Sequence, residues 1–120
     1  MKPLILIIED NTQNMYMLNY LLESNDYSVL QAFSGMEGIE MAKTHKPGAI
    51  LLDIQLPEMD GYTVARELRK IEELKNIPII AVTSYAMSGD REKALESGAT
   101  GYIEKPIDPD TFISQMEKYL

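Results

Sequence analysis

Cysteine and tryptophan are absent from this chain, histidine occurs once and phenylalanine twice. Without cysteine there is no disulfide, no thiolate metal ligand and no cysteine nucleophile, which fits a reducing compartment. One histidine leaves too few nitrogen donors for a zinc or redox-metal centre. Long apolar runs are missing too. The run behind the first residues, Leu4–Ile8, is five residues long. That is too short for a secretion signal, and no segment approaches the roughly 20 residues of a membrane span. Basic residues are in deficit, 11 against 19 acidic, for a net charge of −8. Nucleic acid and anionic membranes would repel such a chain, so neither is expected as a direct partner. There is no internal repeat, low-complexity tract or linker. The expectation is a single cytoplasmic domain over residues 1–120.

What is present is ordinary for a globular domain: 120 residues, 45% hydrophobic and 25% charged, enough to bury a core. The informative stretch is Ala49-Ile50-Leu51-Leu52-Asp53. A short unbroken apolar run reads as a strand buried on both faces, as in a parallel sheet. It ends in a carboxylate, then turns through Ile54-Gln55-Leu56-Pro57-Glu58-Met59-Asp60-Gly61. Taken alone, Asp53 reads as well as a loop or helix-capping residue.

The rest of the chain repeats the pattern. Leu4–Ile8 is a buried strand ending in Glu9-Asp10-Asn11. Met15, Leu18, Leu21 and Leu22 then follow at helical spacing. Tyr27–Ala32 is a less apolar strand, suited to a sheet edge. Ser34 with Glu37 forms a capping-box pattern for a helix to about Thr44. After the Asp53 strand, Gly61 opens a helix carrying Val64, Ala65, Leu68 and Ile71. Ile79–Val82 is a fourth strand, ending in Thr83-Ser84. A helix from about Ser88 to Ser97 stops at Gly98, placed for a left-handed cap. Gly101–Ile103 is a short fifth strand, followed by Glu104-Lys105-Pro106. Asp108 and Pro109 suit the start of a last helix that buries Phe112, Ile113, Met116 and Leu120.

Five strand–helix units predict an open, doubly wound parallel sheet with helices on both faces, an α/β fold. In a parallel sheet all carboxyl ends share one edge. Glu9 and Asp10, Asp53, Thr83 and Lys105 would therefore converge there, and a shared site explains that convergence better than packing does. Three clustered carboxylates repel, and a hard divalent cation relieves the repulsion. Mg²⁺, with Mn²⁺ as its alternative, takes carboxylate oxygens and water, so Glu9, Asp10 and Asp53 match, with a backbone carbonyl near Gln55 as a further ligand. Such a site suits phosphoryl transfer to a carboxylate nucleophile, Asp53. Lys105 and either the Thr83 hydroxyl or the Ser84 amide would contact the phosphate. On phosphorylation Thr83 and Lys105 would gain a partner that they otherwise lack.

These residues resemble the receiver domains of bacterial two-component response regulators. The likeness rests on Ile7-Ile8-Glu9-Asp10-Asn11, on Leu52 through Gly61, on Val82-Thr83-Ser84 and on Lys105-Pro106. Asn14, Ser84-Tyr85-Ala86-Met87 and Lys105-Pro106-Ile107 are similar to single-domain receivers of the DivK type and to receiver modules of hybrid kinases. The resemblance implies a flavodoxin-like (βα)5 sheet of strand order 2-1-3-4-5. It implies that Asp53 accepts a phosphoryl group from a phosphohistidine on a sensor histidine kinase or phosphotransfer protein. Glu9 and Asp10 would hold Mg²⁺, Thr83 would move to the phosphate, Tyr102 would swing inward with it, and Lys105-Pro106 would be a cis bond. The face of the fourth helix, fifth strand and fifth helix would then act on a downstream protein, from a monomer or weak homodimer. By this likeness the chain is a phosphoacceptor that also loses its phosphate, rather than a turnover enzyme. Tyr85, two residues beyond Thr83, would shield that phosphate from water.

Rival classes fit less well. An FMN site wants a hydroxyl-rich loop where Glu9-Asp10 stands. An aspartate-based phosphatase, or an acidic nuclease or topoisomerase site, wants a second acid at Gln55. A phosphate-independent interaction module of the same fold usually lacks the nucleophile or the lysine, and both Asp53 and Lys105 are here.

Overall fold

The alternation of side chains along each strand settles how the layers stack. The computed structural model describes residues 2–83 and 89–120. Five parallel strands, β1 (Leu4–Ile8), β2 (Ser28–Ala32), β3 (Ala49–Asp53), β4 (Ile79–Thr83) and β5 (Gly101–Glu104), form one sheet in the order β2-β1-β3-β4-β5. The helices between them are α1 (Thr12–Ser24), α2 (Gly35–His45), α3 (Gly61–Arg69) and α4 (Asp90–Ser97), and α5 (Phe112–Glu117) follows β5. This is the flavodoxin-like arrangement.

Successive strand residues point to opposite faces. Ile5, Ile7, Leu51, Ile80 and Val82 meet Met15, Leu18 and Leu22 of α1 and Phe112 and Met116 of α5. Leu6, Ile8, Ile50, Leu52 and Ile79 meet Ile39 and Ala42 of α2 and Val64 and Leu68 of α3. A smaller cluster of Ile54, Ala81, Ala94 and Ala99 seats α4, with Tyr62 and Tyr102 against it. The three inner strands are apolar up to their carboxyl ends because both faces are covered. β2, at one edge, leaves Ser28 and Gln31 exposed.

The first three helices start at side-chain caps. Asn11 accepts from the Asn14 N–H at 2.9 Å. Ser34 accepts from Glu37 N–H at 3.1 Å, and the Glu37 carboxylate reaches back to the Phe33 N–H. Asp60 accepts from Thr63 N–H at 2.9 Å. Gly98 ends α4 with φ +121°, open to glycine and strained for other residues.

Three boundaries differ from the sequence reading. α3 stops at Arg69, and Ile71 lies beyond it, before a single 3-10 turn at Glu72–Leu74. α4 begins at Asp90; the expected start, Ser88, lies outside the described residues. Asp108 lies one turn ahead of α5: its Oδ1 accepts from Asp110 N–H at 2.9 Å and its carbonyl from Phe112 N–H at 2.9 Å, and the regular helix begins at Phe112. An aspartate that bonds its own backbone two residues on makes a turn as readily as a cap. Leu120, expected in the core, is past the end of α5 and 44% exposed.

Candidate functional site

The chain runs from β1 outward to β2 and then returns to place β3 on the other side of β1. Helices leaving in opposite directions open a crevice at the carboxyl ends of β1 and β3. Glu9 follows β1 and Asp53 closes β3. Both are buried, whereas Asp10 is exposed. Oxygens of Glu9, Asp10 and Asp53 lie within 4.8 Å of one another.

Backbone geometry holds these groups. Glu9 N–H donates to Ala32 O at 3.0 Å, which extends the β1–β2 ladder by one residue. Asn11 N–H donates to Glu9 Oε2 at 3.1 Å, and Gln55 N–H donates to Asp53 Oδ1 at 3.0 Å. Gln55 therefore meets Asp53 through its amide. On the other side, Lys105 N–H donates to Thr83 O at 2.7 Å, so the lysine is tied to the end of β4. Its ammonium lies 3.0 Å from Glu9 Oε1 and 3.6 Å from Asp53 Oδ1. The Lys105-Pro106 bond is cis. Thr83 is buried one strand away from Asp53. Tyr102, half-buried on β5, packs on the Ala81 cluster below Thr83. Ser84, Tyr85, Ala86 and Met87 lie outside the described residues.

The structure thus brings Glu9, Asp10, Asp53, Gln55 and Lys105 to one open cavity of about 690 Å³. It also corrects one expectation. Neither Lys105 nor Thr83 lacks a partner before phosphorylation, and Lys105 already bridges two carboxylates. A lysine surrounded by buried acids moves toward them, because an unpaired buried charge is costly.

Sequence reading assigned no site role to Asn11, Asn14, Met17 or Ile107, all of which line the cavity. Asn11 was findable as the residue before a helical pattern, where a cap is expected. Asn14 and Met17 fall one turn apart on the same helix face, a spacing that signals a shared face but not which cavity it meets.

Burial pushes the Glu9 carboxyl up to about 7, with hydrogen bonding to Asp53 and repulsion from it adding to the rise; Asn11 N–H and Lys105 act against it. Two buried carboxylates and one exposed one, served by a single lysine, leave an excess of negative charge. All the side-chain donors are oxygens. A hard cation fits such a set, and Mg²⁺ with several retained waters fits best because so few protein ligands are offered.

The response regulator receiver domain family model matches residues 5–117. The chain belongs to that family. It is 43% identical over 116 residues to the polar-differentiation response regulator DivK of Brucella ovis, covering 97% of this chain and 94% of that protein. Among solved structures, the receiver domain of sensor histidine kinase PA1611 from Pseudomonas aeruginosa PAO1 superposes with a TM-score of 0.90 at 34% identity, over 99% of this chain and 98% of that one. That structure is described with a magnesium ion coordinated in its active site cleft. Chemotaxis protein CheY4 of Vibrio cholerae superposes with a TM-score of 0.93 at 25% identity, over 97% of each chain. The receiver has the acidic cluster in its crevice. No helix among the described residues is long and apolar enough to cross a membrane.

Proposed function

We propose that this receiver is a Mg²⁺-dependent phosphoacceptor switch of a cytoplasmic phosphorelay, with Asp53 as the phosphorylated residue. The observation that carries this reading is the placing of Asp53: a buried carboxylate at the end of β3, within 4.8 Å of Glu9 and Asp10 oxygens and 3.6 Å from the Lys105 ammonium.

The donor is a phosphohistidine on a sensor kinase or phosphotransfer protein, as in the family. An Asp53 oxygen attacks phosphorus, the P–N bond breaks, and its electron pair returns to the imidazole nitrogen, which takes up a proton. Gln55 N–H, bonded to Oδ1, orients the carboxylate. Glu9, Asp10 and Asp53 would hold the metal, with the Gln55 carbonyl as a further ligand. A bound Mg²⁺ supplies positive charge to the transferring group. Lys105 supplies the second cation after turning from Glu9 toward the new phosphate.

Phosphorylation adds charge and acceptor oxygens next to Thr83. Thr83 moves to them, the Ser84 amide is a further phosphate contact, and Tyr102 follows into the space Thr83 leaves. The α4–β5–α5 face changes shape, and a downstream protein that prefers the new face shifts the population by its differential affinity.

Incubation with acetyl phosphate and Mg²⁺, followed by intact mass measurement, tests the reading. One phosphoryl group is expected on the native chain and none on Asp53→Ala. No addition to the native chain, or equal addition to both, overturns it.

A further inference from the structure

A second concavity opens away from the crevice, between the start of α2 and the loop that leads from β3 to α3. Its walls are Phe33, Met36, Leu56, Pro57, Glu58 and Met59, and its volume is about 220 Å³. It shares no lining residue with the cavity at Asp53. Phe33 is 41% exposed and Met36 58% exposed, an unusual outlay of apolar surface for residues so close in sequence.

The local structure fixes this groove. Phe33 precedes the Ser34 cap, and its N–H is held by the Glu37 carboxylate. Leu56 is buried beneath the loop. Gly35 lets α2 start hard against its neighbours: a Cβ there would sit 2.8 Å from Val64 Cγ2 and 3.4 Å from Met59 Cβ. One wall is therefore set by packing, while Met36 and Met59 offer deformable thioether surfaces of the kind that accept varied apolar partners.

Size and charge select the occupant. The volume is below the roughly 300 Å³ at which small-molecule sites begin, and suits one large apolar side chain. Glu58 lines the groove, and Glu37 and Asp60, both exposed, stand beside its two walls, while Glu40 is already paired with Lys43. A second copy of the chain would bring a further −8 of charge to this acidic rim. A basic segment is drawn to it.

We propose that this groove docks a segment of a partner protein that presents one leucine- or phenylalanine-sized side chain flanked by lysine or arginine. The segment would lie on the part of the β3–α3 loop that begins three residues after Asp53, separate from the phosphoryl-transfer cavity and from the α4–β5–α5 face.

The test uses the full chain as Asp53→Ala, so its outcome does not depend on phosphorylation, with ¹³C-methyl methionine as the probe. The titrants are acetylated peptides with a central Leu, Phe or Ala between paired lysines. The Met36 and Met59 methyl resonances are expected to shift with the Leu and Phe peptides and not with the Ala peptide. Glu58→Lys is expected to weaken the binding by about fivefold or more, as does added salt. Met36→Glu, at an exposed position that tolerates the change, should abolish the Met59 shift. No shift at either methyl, equal shifts with the Ala peptide, or undiminished binding by Met36→Glu would each overturn the proposal. Self-association of the chain that protects these methyls without peptide would overturn it in favour of a second copy.

Discussion

Lys105 Nζ lies closer to Glu9, at 3.0 Å, than to Asp53, at 3.6 Å. In the unphosphorylated chain its nearest partner is the acid that follows β1. Both carboxylates are buried, and removal of one partner from a buried charge cluster costs on the order of 3–5 kcal/mol. Lys105→Met is therefore expected to destabilise the metal-free chain by about 2 kcal/mol or more, since the lysine side chain keeps 13% of its exposure. Millimolar Mg²⁺ should restore part of the loss by supplying the missing cation. Urea unfolding of both proteins with and without Mg²⁺ measures this; equal losses in both conditions would contradict it.

Glu9 gives a pH signature with a definite sign. Its carboxyl moves from 4.5 to about 7, through burial first and then through Asp53. The folded chain therefore holds a proton that the unfolded chain has released between those values. Stability in the absence of metal is greatest below pH 4.5 as far as this group is concerned, and falls as pH rises through 7. Glu9→Gln should flatten that slope. Metal binding near pH 6.5 should release protons, seen as heats that vary with the ionisation enthalpy of the buffer in titration calorimetry.

How far these features can be read in the sequence depends on the distance over which each is determined. β1, β3 and β4 were legible because burial on both faces leaves continuous apolar runs. Asp53, Glu9 and Lys105 were legible as a group because a parallel sheet sends all its carboxyl ends to one edge, whereas Thr83, at the end of β4, does not line the cavity. The pairing of Lys105 with Glu9 spans 96 residues and leaves no local signature, so the lysine was read as unpartnered. Asp108 was half legible: its carboxylate and carbonyl hold the turn that leads into α5, but the regular helix starts later, at Phe112. Asp60, read as a loop residue, is the cap of α3, a role hidden by the glycine that follows it.

At the other end of the sheet, Tyr27 donates its hydroxyl hydrogen to Glu117 Oε2 at 2.6 Å, and the Lys2 ammonium lies 4.7 Å from its ring centroid. Burial, reinforced by Glu117, pushes the phenol from 10 up to about 12. The folded state favours the neutral phenol, so this contribution is whole below pH 10 and is lost as pH rises through 12. Tyr27→Phe should cost about 1 kcal/mol at neutral pH. The gap in melting temperature between the two proteins should close between pH 10 and pH 12. Circular dichroism melts across that range measure it, and a constant gap would count against the bond.

Gly61 links the site to its scaffold. Its N–H donates to Ile54 O at 2.9 Å, and a Cβ there would lie 2.5 Å from Ile54 Cα and 2.6 Å from Asp53 O. Both neighbours are backbone atoms, so neither can swing aside as a side chain would. Gly61→Ala must therefore displace the peptide that carries Asp53 or lift the start of α3. The expected cost is about 1–3 kcal/mol, the usual range for overpacking, read as a lower urea midpoint at unchanged slope. Phosphorylation by acetyl phosphate should slow as well, because the Gln55 N–H that orients Asp53 sits on the displaced loop. A variant that loses stability but keeps the native phosphorylation rate would show that α3 moves and that the β3 end stays in place.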